Sequence, residues 1–75
     1  MEFDAELDAS GLRCPLPILR TKKALAALES GQVLRVTTTD PGALHDIAVF
    51  ARQTGNALLL QQTEGDTTAH WLRRR

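Results

Sequence analysis

The apolar period of the chain changes from two to helical and back, twice, and that alternation narrows the folds open to it. Phe3, Ala5 and Leu7 alternate with Asp4, Glu6 and Asp8, the period of a half-buried strand. Ser10-Gly11 breaks the run. From Ile18, apolar or small residues recur at Thr21, Leu25 and Leu28, which predicts a first helix with Gly31 as its left-handed stop. Residues 32–38 carry Val33, Leu34 and Val36 among threonines, a second strand. Asp40-Pro41-Gly42 reads as a helix entry, with Asp40 as N-cap and Pro41 at the first helical position. Leu44, Ile47, Ala48 and Ala51 then line one face of a second helix that Gly55 ends. Residues 57–63 read as a third strand, Glu64-Gly65-Asp66 as a tight turn, and residues 67–73 as a fourth strand.

The order β-α-β-α-β-β predicts an α/β two-layer sandwich, a four-stranded mixed sheet with both helices on one face. Strand-helix-strand steps cross over right-handedly, and 75 residues barely suffice to cover two sheet faces. The whole chain, residues 1–75, reads as a single domain whose core is modest for its size. In the last strand Trp71 lies on one face and His70 with Leu72 on the other; the sequence leaves open which is buried.

Composition removes several classes. One cysteine excludes a disulfide within the chain, and two histidines are few for a metal site. The start, Met1-Glu2-Phe3-Asp4, is acidic and has no signal-peptide character. The longest aliphatic stretch, Ala57 to Leu60, is far too short to span a bilayer. A free thiol without an export signal fits a reducing cytoplasm. Zero formal net charge argues against a broad nucleic-acid surface. The Arg73-Arg74-Arg75 tail is read as a solvated terminus.

The chemistry concentrates at Gly11 to Arg20, "GLRCPLPILR". A residue before proline avoids helical angles, so Cys14 is expected as the N-cap of the first helix and Pro15 at its first position. Pro17 falls in the first turn, where N–H groups have no partner within the helix. The helix dipole and Arg13 then predict a thiol pKa below the free value of about 8.5. Pro17 removes one N–H donor, which leaves Leu16 N–H for the sulfur and makes the activation moderate. A lone cysteine is by default a small buried hydrophobe; beside Arg13 and two prolines, at a loop-to-helix junction, exposure is the expectation.

A dithiol cycle is impossible with one thiol. Nothing in the spacing brings His45 or His70 to Cys14 for a triad, and no zinc-type ligand pair is present. No metal or cofactor is expected. Accepting a sulfur atom as a persulfide and passing it on needs one reachable cysteine only.

The stretch "LDASGLRCPLPILRTKKAL" resembles the N-terminal signature of the TusA/SirA-like family of sulfur carrier proteins, with its Cys-Pro-X-Pro present as Cys14-Pro15-Leu16-Pro17. The later "TTTDPGALHDIAVFARQTGNALL", with Asp40-Pro41 and Asp46-Ile47, also looks like the family pattern. The resemblance implies a two-layer α/β sandwich and a sulfurtransferase role. Cys14 would take sulfane sulfur from a donor protein, a cysteine desulfurase or a rhodanese, and hand it to an acceptor protein. In the family such relays feed tRNA thiolation, molybdenum-cofactor synthesis or dissimilatory sulfur metabolism. Some relatives have a further cysteine in the second helix; this chain has Ala51 in that region, so a two-thiol mechanism is excluded.

Arg13, Pro15, Pro17 and Asp40 are expected to support Cys14. Leu16, Leu19, Arg20 and Lys23 fall on the outer side of the first helix, away from the Ile18/Thr21/Leu25/Leu28 stripe, and are expected to form a docking patch on a monomeric carrier. Two readings from other classes stay open: a non-catalytic interaction or regulatory module, and a redox sensor acting through Cys14.

Overall fold

A computed structural model describes residues 1–75 and has the predicted order: β1 (Ala5–Ala9), α1 (Leu16–Ala26), β2 (Val33–Thr38), α2 (Ala43–Thr54), β3 (Ala57–Glu64) and β4 (Thr67–Arg73). The four strands form one sheet in the order β1-β2-β4-β3. β1 runs parallel to β2, and β4 runs antiparallel to both β2 and β3. β1, β2 and β3 therefore point the same way, with β4 inserted between β2 and β3 by the hairpin at Gly65, whose φ of 62° suits the left-handed region glycine tolerates.

Alternation along the strands decides what faces the helices. Leu34 pairs with Leu72 and Val36 with His70 across β2 and β4, so all four share one face. Leu34, Val36 and Leu72 join Leu25 of α1 and Ile47, Phe50 and Ala51 of α2 in a single buried cluster. Both helices thus lie on one face of the sheet, as expected. The question of the last strand resolves in favour of His70 and Leu72, both fully buried against the helices. Trp71 sits on the other face opposite Arg35 and Leu60, with the Arg35 guanidinium 5.2 Å from its ring centroid. Arg35 is in turn paired with Glu6 at 2.6 Å. That cover leaves Trp71 only 6% exposed although no helix lies over it.

Several boundaries differ from the sequence reading. Phe3 precedes β1 and is 42% exposed, stacking near Arg35 rather than entering the core. α1 ends at Ala26, because Ala27 and Leu28 donate to the carbonyls three residues back, Ala24 and Leu25. Gly31 does adopt a left-handed φ of 87°, but in the turn before β2, where its N–H bonds the Arg74 carbonyl. α2 starts at Ala43 with Gly42 as N-cap, so neither Asp40 nor Pro41 holds its expected position. Its buried face is Ala43, Ile47, Phe50 and Ala51, while Leu44 is 46% exposed. The buried face is rotated toward Ala43 and Phe50 relative to the sequence reading, which had Leu44 and Ala48 on it; Ala48 is only half-buried. Gly55 ends α2 in the left-handed conformation, as expected. β3 carries an irregularity between Leu58 and Leu60 that shifts its register with β4.

Candidate functional site

Parallel pairing of β1 and β2 sets their C-terminal ends side by side, so the two loops that follow must meet. Gly11 N–H donates to Thr39 Oγ1 at 2.8 Å, and Cys14 N–H donates to Asp40 Oδ2 at 2.9 Å. Asp40 Oδ1 also accepts from Gly42 N–H at 3.2 Å, and the Asp40 carbonyl accepts from Ala43 N–H. Asp40 is therefore not the N-cap of α2. It folds the turn before α2 and at the same time holds the backbone of Cys14. Gly11, Leu12, Arg13, Cys14, Thr39, Asp40 and Pro41 line an open depression of about 430 Å³ between the two loops.

Cys14 is exposed, as expected for a loop-to-helix junction. Its expected place as N-cap is taken by Pro15: the first helical bond runs from Leu19 N–H to the Pro15 carbonyl at 3.1 Å. Leu16 N–H, the donor expected to serve the sulfur, instead closes a turn onto the Arg13 carbonyl at 2.8 Å. Pro15 and Pro17 carry no N–H at all. The cysteine thus stands one position outside the helix, in front of a start whose nearest donors are absent or occupied. The Cys14–Pro15 peptide is cis.

These facts overturn the expected lowering of the thiol pKa. Desolvation at the loop junction pushes the Cys14 thiol above its ordinary value; repulsion from Asp46, a hydrogen bond with the Asp46 side chain and repulsion from Asp40 push the same way. Asp46 sits in the first turn of α2. A Cβ placed on Gly42 would lie 3.5 Å from Asp46 Oδ2 and 3.8 Å from Asp40 Oδ1, so the two carboxylates converge on one corner of the site. Arg13, exposed beside Cys14, does not offset them.

The sequence reading missed Asp46 as a neighbour of the thiol. The available signal was topological: parallel strands bring the loop after β1 against the start of α2. Pro17 is buried, and Pro15 is exposed. Leu16 and Leu19 are 42% and 54% exposed, and Arg20 and Lys23 are exposed on the same helix. His70 is fully buried between Thr38 and Gln61, so it is committed to the core rather than to Cys14.

No helix is long and apolar enough to cross a membrane. A family model described as sulfurtransferase TusA matches residues 5–74. A sulfur carrier protein TusA of Allochromatium vinosum is 62% identical over 64 residues, 85% of this chain and 84% of that one. Another of that name, from Pseudomonas entomophila, is 43% identical over 72 residues, covering 96% and 90% of the two chains. Among solved structures, a SirA-like protein from Desulfitobacterium hafniense superimposes with a TM-score of 0.81 at 27% identity, over 93% of this chain and 96% of that one.

Proposed function

The chain belongs to the TusA family, and on that premise we propose that it is a sulfur carrier whose Cys14 accepts sulfane sulfur as a persulfide and delivers it to an acceptor protein. The observation that carries the reading is the presentation of the chain's only cysteine: exposed, on a loop whose backbone Asp40 ties to the neighbouring loop at 2.9 Å. A short side chain reaches a partner's active site only if it is exposed and its backbone is held. Pro15 and Pro17 stiffen that backbone from the helix side.

The transfer conserves oxidation state. Cys14 sulfur attacks the terminal sulfur of a donor persulfide, forming a new S–S bond. The donor's S–S bond breaks, its electron pair stays on the donor cysteine, and the Cys14 proton ends on that sulfur. The donor is a protein that carries a persulfide, a cysteine desulfurase or a rhodanese, and the acceptor is a second relay protein. Leu16 and Leu19 supply apolar area around the thiol, and Arg20 and Lys23 steer acidic partner surfaces. The protein works as a cytoplasmic monomer, with sulfurtransferase activity arising in the complex with each partner.

Incubating the protein with a desulfurase and cysteine, then measuring intact mass, tests the reading. One added sulfur atom, absent in Cys14→Ser, is the expected result. No sulfur uptake from any persulfide donor overturns it, and oxygen addition or dimer formation in its place identifies a redox sensor.

A further inference from the structure

The Arg73-Arg74-Arg75 tail, expected to be a solvated terminus, is tied down instead. Arg73 closes β4. Arg74 N–H donates to the Gln32 carbonyl at 2.8 Å, and its carbonyl accepts from Gly31 N–H at 2.8 Å. Arg75 N–H donates to Asn56 Oδ1 at 3.0 Å, and Asn56 Nδ2 donates to Thr54 Oγ1 at 2.8 Å, at the end of α2. The Arg75 side chain lies across Gly55, where an added Cβ would stand 3.3 Å from its Cδ. Between this tail and the C-terminal ends of α1 and α2 lies a cavity of about 200 Å³. Buried Leu25 and Phe50 form its floor, and Lys22, Arg74 and Arg75 stand around it. No acidic side chain lines it, and the one ion pair of the chain, Arg35 with Glu6, lies elsewhere. Helix C-termini favour cations, but two partial charges of about −0.5 do not neutralise three unit charges.

We propose that this cavity is a docking site for a short acidic and apolar segment of a partner protein: an apolar side chain enters against Leu25 and Phe50, and flanking carboxylates pair with Lys22, Arg74 and Arg75. Its size decides against a free small molecule, since drug-sized ligands occupy about 300–1,000 Å³; a single side chain fits. Its charge pattern decides against nucleic acid. A phosphate backbone is held by cations along its track, whereas these three converge on one apolar floor. Asp4, accepting from Val33 N–H at 2.8 Å, and Glu29, in the turn that Arg74 braces, add negative charge at the same end of the molecule. Arg74 and Arg75 present their charges from a backbone already ordered, which reduces the entropy lost on binding. Cys14 follows the C-terminal end of β1, whereas Arg74 bonds the residues just before β2, so parallel pairing sets the two at opposite ends of the sheet. A partner bound here leaves the thiol open, and the site does not depend on what Cys14 carries.

Titration of the isotope-labelled protein with octapeptides, followed by amide NMR at neutral pH and physiological salt, tests this. One peptide alternates glutamate with leucine, a second alternates glutamate with serine, and oligothymidylate serves as the nucleic-acid probe. The glutamate–leucine peptide is expected to shift the amide signals of Lys22, Gly55, Asn56, Arg74 and Arg75 and to leave that of Cys14 in place. Arg74→Glu combined with Arg75→Glu should weaken its binding about tenfold or more, since two attractions become repulsions at pairing distance; Lys22→Glu should weaken it too. Arg20→Glu combined with Lys23→Glu, at the patch beside the thiol, should change its affinity by no more than about twofold, distant exposed charges being screened. Cys14 should be alkylated at the same rate with and without the peptide. Equal binding of the glutamate–serine peptide or of oligothymidylate overturns the proposal, as does no binding at all. Unchanged affinity in the folded tail variant, shifts confined to Arg13, Arg20 and Lys23, or protection of Cys14 by the peptide overturn it as well. If the tail variant does not fold, the wild-type shifts and Lys22→Glu decide by the same criteria.

Discussion

Acidification should destabilise this fold through one residue, His70. The imidazole is fully buried and both ring nitrogens are engaged. Gln61 Nε2 lies 3.0 Å from Nδ1, and Thr38 Oγ1 lies 2.8 Å from Nε2. An amide nitrogen only donates, so Nδ1 is the acceptor and the ring proton sits on Nε2, donated to Thr38. The same Gln61 nitrogen donates to the Leu44 carbonyl at 2.9 Å, tying β3 to the first turn of α2. A second ring proton would point at that amide group. Burial accordingly lowers the His70 pKa from 6.5 to about 4. Because the folded value lies below the unfolded one, the unfolded chain binds more protons between them. Stability is unaffected above the unfolded pKa, falls as the pH drops through it, and levels off below about 4. At about 1.4 kcal/mol per pH unit, the full loss is about 3 kcal/mol, and about 2 kcal/mol is already gone near pH 5. That is a large share of the roughly 4–11 kcal/mol expected for a domain of this length. Urea unfolding followed by circular dichroism at pH 7.5, 6 and 5 would measure it in wild type and in His70→Leu. The variant should be less stable at pH 7.5, having stranded Thr38 and Gln61, yet lose far less on going to pH 5. Equal losses in the two proteins over that range would refute the assignment and move the acid sensitivity to other groups.

Alkylation of Cys14 should show a pH midpoint above that of a free cysteine, read as rate against pH; a midpoint below it would restore the activated-thiol picture that the carboxylates argue against. Cys14→Ser should unfold at nearly the wild-type urea concentration, since the side chain is exposed and its anchoring bond to Asp40 uses only backbone N–H. Arg20→Glu combined with Lys23→Glu should slow loading from a donor protein while loading from a small polysulfide changes little, with stability within about 0.5 kcal/mol of wild type. Equal slowing with both donors would show that these cations act on the thiol and not on docking. Leu72→Ala should cost about 2–5 kcal/mol in urea unfolding, because Leu72 is fully buried between β2, β3 and the helices.

Elements, their order and the presence of an exposed thiol were legible in the chain itself, because period, punctuation by glycine and proline, and local charge are properties of neighbours in sequence. The alternation of Leu34 and Val36 and the turn at Gly65 carried enough information for two strands of the sheet. Helix entries were displaced by one residue at Cys14 and by two at Asp40, because which carbonyl accepts the first helical bond depends on turns that local propensity does not resolve. The choice between Leu44 and Phe50 for the buried face required knowing where α2 meets the sheet. Whether His70 or Trp71 faced inward required the register of β4 against β2, since an alternating strand offers either face equally. The ionisation of Cys14 was read wrongly from sequence for the same reason. Arg13 and the helix start are local to it, whereas Asp40 and Asp46 reach it only because parallel pairing of β1 and β2 closes two loops, 26 residues apart at their hydrogen bond, onto one corner.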